Sequence, residues 1–218
     1  MKTTSASLLS LLLLPGLLFA AEPKPIFDGK TLDGWQSRDA ATPPAGWTVT
    51  DGTIHRKGGG GDLYLSRELG DFELRFEFKV ASAGNSGIKY RLAPFGKDLL
   101  GPEYQILDDE RHPDSLRGTS HRTGALYDIK AAATEKAYKA AGEWNTGRIV
   151  SRGTRMEHWL NDVKVLEIDT ASPEWRELKG KSKFKAREGY GENPRGRLLL
   201  QDHGDEVWFR NLMLIEEP

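Results

Sequence analysis

Apolar and polar residues alternate most plainly in Phe72-Glu-Leu-Arg-Phe-Glu-Phe-Lys-Val80. Phe72, Leu74, Phe76, Phe78 and Val80 share one parity, and Glu73, Arg75, Glu77 and Lys79 share the other. A period of two sustained over this run predicts a strand with one buried and one solvated face. Shorter runs predict strands at Trp47–Thr50, Thr53–Arg56, Gly87–Leu92, Glu103–Leu107, Gly147–Ser151, Met156–Leu160, Lys164–Ile168, Arg197–Gln201 and Glu206–Ile215. Asp51-Gly52 falls between the first two and reads as a hairpin turn. Helical periodicity is scarce. The Ala-rich stretch Ile129–Ala141 fits a short helix or a loop equally, because its apolar residues build no stripe. Gly58–Gly61 lacks the Lys-Ser/Thr of a phosphate-binding loop and reads as a flexible connection. The basic stretch Arg176–Arg187 reads as a solvated loop. Many short strands, few helices and no linker predict one all-β sandwich or barrel.

Parity also sorts the polar residues. In Gly87–Leu92, Ile88, Tyr90 and Leu92 are expected in the core, which turns Lys89 and Arg91 the other way. In Glu103–Leu107, Tyr104 and Ile106 are expected inside, with Glu103 and Gln105 outside. In Arg197-Leu-Leu-Leu-Gln-Asp-His203, Leu198 and Leu200 fit the core, while Arg197, Gln201 and His203 share the opposite face. If these strands are neighbours, they form a polar platform of a carboxylate, an imidazole, two amides and several cations. Such groups suit a site that grips a sugar and moves a proton. His158, beside Trp159 and a probable Asn161-Asp162 turn, fits a site histidine or a satisfied core histidine equally.

Charge and composition narrow the classes. With 31 Lys+Arg against 32 Asp+Glu the net charge is −1, which gives no pull towards nucleic acid or an anionic membrane. There is no cysteine, so disulfide scaffolds, zinc ribbons, iron–sulfur sites and thiol nucleophiles are excluded. No His-Glu-x-x-His, calcium loop or Gly-x-Ser-x-Gly elbow occurs. The carboxylate pair of ordinary glycoside hydrolysis is also hard to find. No cofactor is predicted, and a need for a divalent metal is left open. At the N-terminus, Lys2, the apolar run Leu8–Leu18 and Phe19-Ala-Ala21 read as a secretory signal peptide over residues 1–20. The mature domain, 24–218, is then expected to be secreted or periplasmic, with no membrane anchor.

Several segments, taken in order, resemble the 3-keto-disaccharide hydrolase family. They are Ile26-Phe-Asp-Gly-Lys-Thr-Leu-Asp-Gly-Trp35, Asn85-Ser-Gly-Ile-Lys-Tyr-Arg91, Gly101-Pro-Glu-Tyr-Gln-Ile-Leu-Asp-Asp109, Thr123-Gly-Ala-Leu-Tyr-Asp128 and Gly142-Glu-Trp-Asn145. His158-Trp-Leu-Asn161, Ser182-Lys-Phe184 and Leu200-Gln-Asp-His-Gly204 with Phe209-Arg-Asn-Leu212 complete the series. Asp162 stands where the family usually has Gly. The resemblance implies a concanavalin A-like jelly-roll β-sandwich of two antiparallel sheets, with an oligosaccharide or glycoside across one sheet. It implies action on glycosides already oxidised at C3. A C3 ketone acidifies the C2 hydrogen, so one base, an enolate stabiliser and a proton donor suffice for β-elimination and rehydration. On this reading Glu103 or His203 is the base and the other, or His158, the acid. Lys89 or Arg91 steadies the enolate. Asn85, Gln105 and Gln201 hold hydroxyls, Tyr127 stacks on a ring, and Trp144 either stacks on a ring or sits in the core. Trp35, by contrast, is expected in the core. The competing reading is a lectin-like carbohydrate-binding module without catalysis.

Overall fold

The computed structural model describes residues 22–135 and 137–216, so the proposed signal peptide lies outside the described residues. Two antiparallel sheets face each other. The larger runs in the order Val163–Asp169, Arg155–Leu160, Asn145–Arg152, Phe72–Val80, Val207–Glu216, Thr53–Arg56, Trp47–Thr50, with Lys24–Pro25 paired to Val207–Glu216. The smaller runs Glu103–Leu107, Asn85–Lys89, Gly196–Leu200, Leu63–Leu69, Trp35–Gln36. A separate ribbon joins Ala93–Phe95 to Asp98–Leu100. This is the expected jelly-roll β-sandwich.

Alternation explains why the sheets stack. Phe72, Leu74, Phe76, Phe78 and Val80 are all buried, and Ile88, Tyr104, Ile106, Leu198 and Leu200 of the other sheet are fully buried. Tyr104 bridges the layers, with its ring edge-on to Phe76 at 5.3 Å and to Phe78 at 6.3 Å. Edge-to-face pairs add to the area that aromatic burial removes from water. Trp35 lies in this core, as expected, and its indole N–H donates to Ile26 O at 2.8 Å.

Three departures have local causes, and segment 129–141, read as helix or loop, takes the loop. Gly87–Leu92 is a strand only over Asn85–Lys89, because Arg91 takes φ +49° and turns the chain. Alternation stops there, so Leu92 packs outward with Tyr64 and Leu199. Leu63–Leu69 is a strand the pattern hid: Leu63, Tyr64 and Leu65 are all buried, as happens where both faces are covered. The segment 129–141 has no helix among its described residues. Instead the Asn145 side chain bonds Lys139 at both its N–H and its carbonyl. Among the described residues the one α-helix is Pro173–Lys181, which overlaps the start of the stretch expected to be a basic loop. Ser172 caps it by accepting from Trp175 N at 3.0 Å, and Pro173 opens its first turn. Trp175 is fully buried and anchors the helix, its ring parallel to Tyr190.

Candidate active site

The outer face of the smaller sheet carries the platform that parity suggested. Glu103 and Lys89 are direct cross-strand partners, and Lys89 is in turn opposite Leu199. Glu103 and Gln105 point outward from one strand, Asn85 and Lys89 from the next. Gln201 follows the end of the third and is fixed by its N–H bond to Gly87 O at 2.9 Å. Loop residues close the sides. The result is a small cleft of about 80 Å³ lined by Asn85, Lys89, Glu103, Gln105, Tyr127, Lys183, Gln201 and His203.

Glu103 sits at its floor, 5% exposed. Its Oε2 is 3.7 Å from Lys89 Nζ. With its amide nitrogen turned to the carboxylate, Gln201 donates to Glu103 Oε1 at 3.1 Å and accepts from Lys89 Nζ at 3.0 Å. Burial pushes the Glu103 carboxyl above the usual carboxylate range, and the charges of Lys89, Lys183 and His203 oppose the shift only in part. The carboxylate needs a gap in the sheet to lie down: a Cβ at Gly87 would stand 2.6 Å from Glu103 Oε1. Beside it Gln105 Nε2 donates to Asn85 Oδ1 at 3.4 Å, while Gln105 Oε1 is buried without a partner. That oxygen is an acceptor with its capacity unused.

A second layer holds the loop walls. His121 is buried between two carboxylates, its Nδ1 3.2 Å from Asp114 Oδ1 and its Nε2 3.0 Å from Asp128 Oδ1. Asp114 bonds the Tyr127 side chain, and Asp128 Oδ2 accepts from Lys183 N at 2.7 Å. Lys183 stands over the Tyr127 ring with Nζ 4.1 Å from its centroid. Protein packed around that ammonium holds it below the ordinary lysine range. Read as a solvated-loop residue, Lys183 escaped the list of candidates. Its one sequence signal was its place in Ser182-Lys-Phe184. Asp62, whose carboxyl burial also raises, lies close enough to be lowered by Lys89 and His203.

Three candidates are not brought to the cleft. His158 is fully buried between the sheets. Its Nδ1 donates to Gly124 O at 3.1 Å, so its Nε2 accepts from the Tyr90 hydroxyl at 2.9 Å. It is a satisfied core histidine. Arg91 does not share the face of Lys89, because its positive φ swings it towards Asp71, 3.6 Å away. Trp144 lies on the opposite side of the sandwich, under Arg210 at 4.0 Å on the outer face of the larger sheet.

Burial holds His158 down to about 4 from 6.5, outweighing its hydrogen bonds to the backbone at Gly124 and Ala125. The unfolded chain therefore binds a proton below about pH 6.5 that the folded chain refuses until about pH 4. Stability falls across that window by up to about 3 kcal/mol as pH drops. Urea titrations at pH 7 and pH 4.5 should show this loss in the wild type. It should shrink in His158→Gln, which cannot titrate; an unchanged slope would place the charged group elsewhere.

Among the described residues, His112, His203 and Asp205 are grouped with ligand atoms within 4.8 Å of one another. The donor set does not suit a cation. His112 Nδ1 already accepts from Asp114 N at 3.1 Å, which keeps the ring proton on Nε2 and leaves no lone pair there for a metal.

The profile of the 3-keto-alpha-glucoside-1,2-lyase-like domain matches residues 22–215. The chain belongs to this family. A relative from Bacteroides thetaiotaomicron, described as a 3-keto-disaccharide hydrolase, is 36% identical over 220 residues, covering 86% of this chain and 76% of that protein. A crystal structure from Parabacteroides distasonis, provisionally assigned as a glycosyl hydrolase, superposes with a TM-score of 0.81 at 28% identity, covering 90% of this chain and 94% of that one. A carbohydrate-binding module from Bacillus subtilis is 14% identical, with a TM-score of 0.50 over 84% of this chain and 96% of that one; it shares the fold. The family membership matches the order of segments read from the sequence.

Proposed function

We propose that the chain cleaves glycosides carrying a ketone at C3, by elimination across C1–C2 followed by hydration. One observation carries this reading: a carboxylate shut away from water, in a cleft whose other cationic and amide groups converge on it. The Bacteroides thetaiotaomicron relative, a 3-keto-disaccharide hydrolase by name, supports the substrate class. Glu103, its basicity raised by burial, takes the C2 proton. The electron pair of that C–H bond becomes an enolate, and the positive charges of Lys89 and Lys183 lie where its oxygen can be steadied. The C1–O bond then breaks, and the leaving oxygen takes a proton from His203 at the rim. Water adds to C1 and gives a proton to His203 while Glu103 returns its proton to C2, so both groups are restored and the net change is hydrolysis; release before hydration is the lyase outcome. Asn85, Gln105 and Gln201 hold hydroxyls, and Tyr127 offers a ring face. A carboxylate also serves a cleft that only binds sugar, by accepting from hydroxyls; its burial beside two lysines is what favours the reading as a base.

Product analysis after incubation with a 3-keto-disaccharide and with its unoxidised parent tests the reading. Cleavage of the keto form alone is expected. Tight binding of both without cleavage would favour the binding module. Lys183→Met should raise the Glu103 carboxyl further, since it removes a charge that lowers it. A ¹³C NMR titration of labelled Glu side chains reads that shift, and an unmoved signal would remove Lys183 from the site. We also propose that residues 1–20 direct export; exported material should begin at Ala21 or Glu22 on N-terminal sequencing.

A further inference from the structure

The cleft holds less than a whole substrate. At about 80 Å³ it lies well below the roughly 300–1,000 Å³ of sites that enclose a small molecule. A second hollow of about 440 Å³ opens on the same sheet, lined among others by Arg38, Asp39, Gly60, Gly61, Asp62 and Tyr64. Register sets the two side by side. Tyr64 is opposite Leu199, Leu199 opposite Lys89, and Lys89 opposite Glu103, so one row of outward residues crosses four strands from hollow to cleft. Asp62, two positions before Tyr64, has the same parity. The chain also ties the walls together. Gly61 N donates to Asp202 Oδ2 at 3.1 Å, and Asp202 N donates to Asp62 Oδ1 at 2.9 Å. Asp202 stands between Gln201 and His203, which both line the cleft, and a buried ion pair with Arg56 at 2.6 Å holds it there.

We propose that this hollow seats the leaving group of the reaction, and that the leaving group is an uncharged sugar. The proposal rests on the reading of the cleft given above, which makes His203 the donor to the leaving oxygen. His203 lies at the end of the cleft that adjoins Asp62. Tyr127 and Lys183 lie at the other end, since Tyr127 N donates to Glu103 O of the sheet's edge strand and Lys183 stands over the Tyr127 ring. The leaving oxygen therefore faces the hollow. The groups waiting there are hydrogen bonders. Tyr64 is 5% exposed, packed with Leu92 and Leu199, and its hydroxyl has no hydrogen-bond partner among the described residues. Asp62 uses one oxygen on Asp202 and keeps the other as an acceptor. Arg38 is half-exposed and gives one N–H to Lys97 O at 2.8 Å, which leaves further donors. Charge decides the class of sugar. Around Tyr64, Arg38 and Arg197 stand against Asp39 and Asp62, so neither an anionic nor a cationic group is favoured. Polar side chains and glycine backbone likewise suit hydroxyls better than an aromatic aglycone.

Calorimetric titration of the Glu103→Gln chain, in which turnover is slowed, tests this with four ligands. They are 3-keto-maltose, 3-keto-trehalose, methyl 3-keto-α-glucoside and phenyl 3-keto-α-glucoside. All four fill the cleft alike, and only the two disaccharides bring a second sugar. At least one disaccharide should bind tighter than the methyl glycoside by on the order of tenfold, the change about 1.4 kcal/mol produces. Adding Tyr64→Phe or Arg38→Met should each cut that preference by about fivefold, what one hydrogen bond is worth. Tyr64→Phe keeps the packed ring and Arg38→Met alters a half-exposed residue, so both chains should fold. Disaccharides no tighter than the methyl glycoside, an unchanged preference in both variants, or tightest binding of the phenyl glycoside would overturn the proposal. Failure of the cleft's chemistry has a different signature: a wild-type chain that cleaves none of the four, whichever way the binding preference falls.

Discussion

Glu103→Gln should bind the keto sugar and turn it over about 10²–10⁴-fold more slowly, the usual worth of a positioned general base. Gln fills nearly the same volume and can still bond to Lys89 and Gln201, so the cleft keeps its shape. What is lost is the acceptor for the C2 proton. His203→Asn should fall within the same range, and the double variant should lose less than the product of the two, since both groups serve one reaction. The pH profile of kcat/KM should have its acidic limb above the usual carboxylate range, because burial raises Glu103. Wild-type turnover in Glu103→Gln would sink the assignment. An intact rate in His203→Asn alone would move the proton donor to another group.

Phe76→Ala should cost about 3–5 kcal/mol of stability. The ring is 2% exposed, stands edge-on to Tyr104 across the two layers, and occupies the space where a Cβ at Gly147 would be, 2.2 Å from Phe76 Cζ. No neighbouring side chain lies on that flank to collapse into the hole. Denaturant unfolding reads the loss as a lower midpoint at unchanged slope. Glu77→Ala, one position on, should cost about 1 kcal/mol. Alternation alone makes Glu77 a solvated residue, but its carboxylate is bonded to Arg210 Nε at 2.7 Å and Asn211 Nδ2 at 2.6 Å. Equal costs at the two positions would mean that the layers are not packed as described.

The platform was legible because its residues sit on regular strands, where parity converts sequence into facing. Glu103, Gln105, Lys89, Gln201 and His203 could be placed together that way, and the family motifs added Asn85 and Tyr127. Arg91 was misplaced for the same reason: two positions from Lys89 means the same face only while the strand continues, and φ +49° ends it. His158 obeyed its parity, but inward, where a hydroxyl and a carbonyl satisfy both nitrogens. Lys183 was hidden because no periodicity governs a loop. Its position comes from tertiary bonds to Asp128 and from packing on Tyr127. The helix at Pro173–Lys181 carries its start signal in Ser172 and Pro173, but its charged, stripe-free sequence gives no helical periodicity.

Gly87 makes the activity of this fold easy to lose silently. The seat of the Glu103 carboxylate exists because residue 87 has no side chain. A single added methyl group would stand 2.6 Å from that carboxylate and force it out of its present seat. Such a chain would keep every residue that lines the cleft and nearly all of its motifs, and on the proposed mechanism its base would be displaced. Family members with the full set of polar residues but Ala at this position should therefore be sorted as candidate pseudoenzymes. A survey that scores functional residues alone would count them as active.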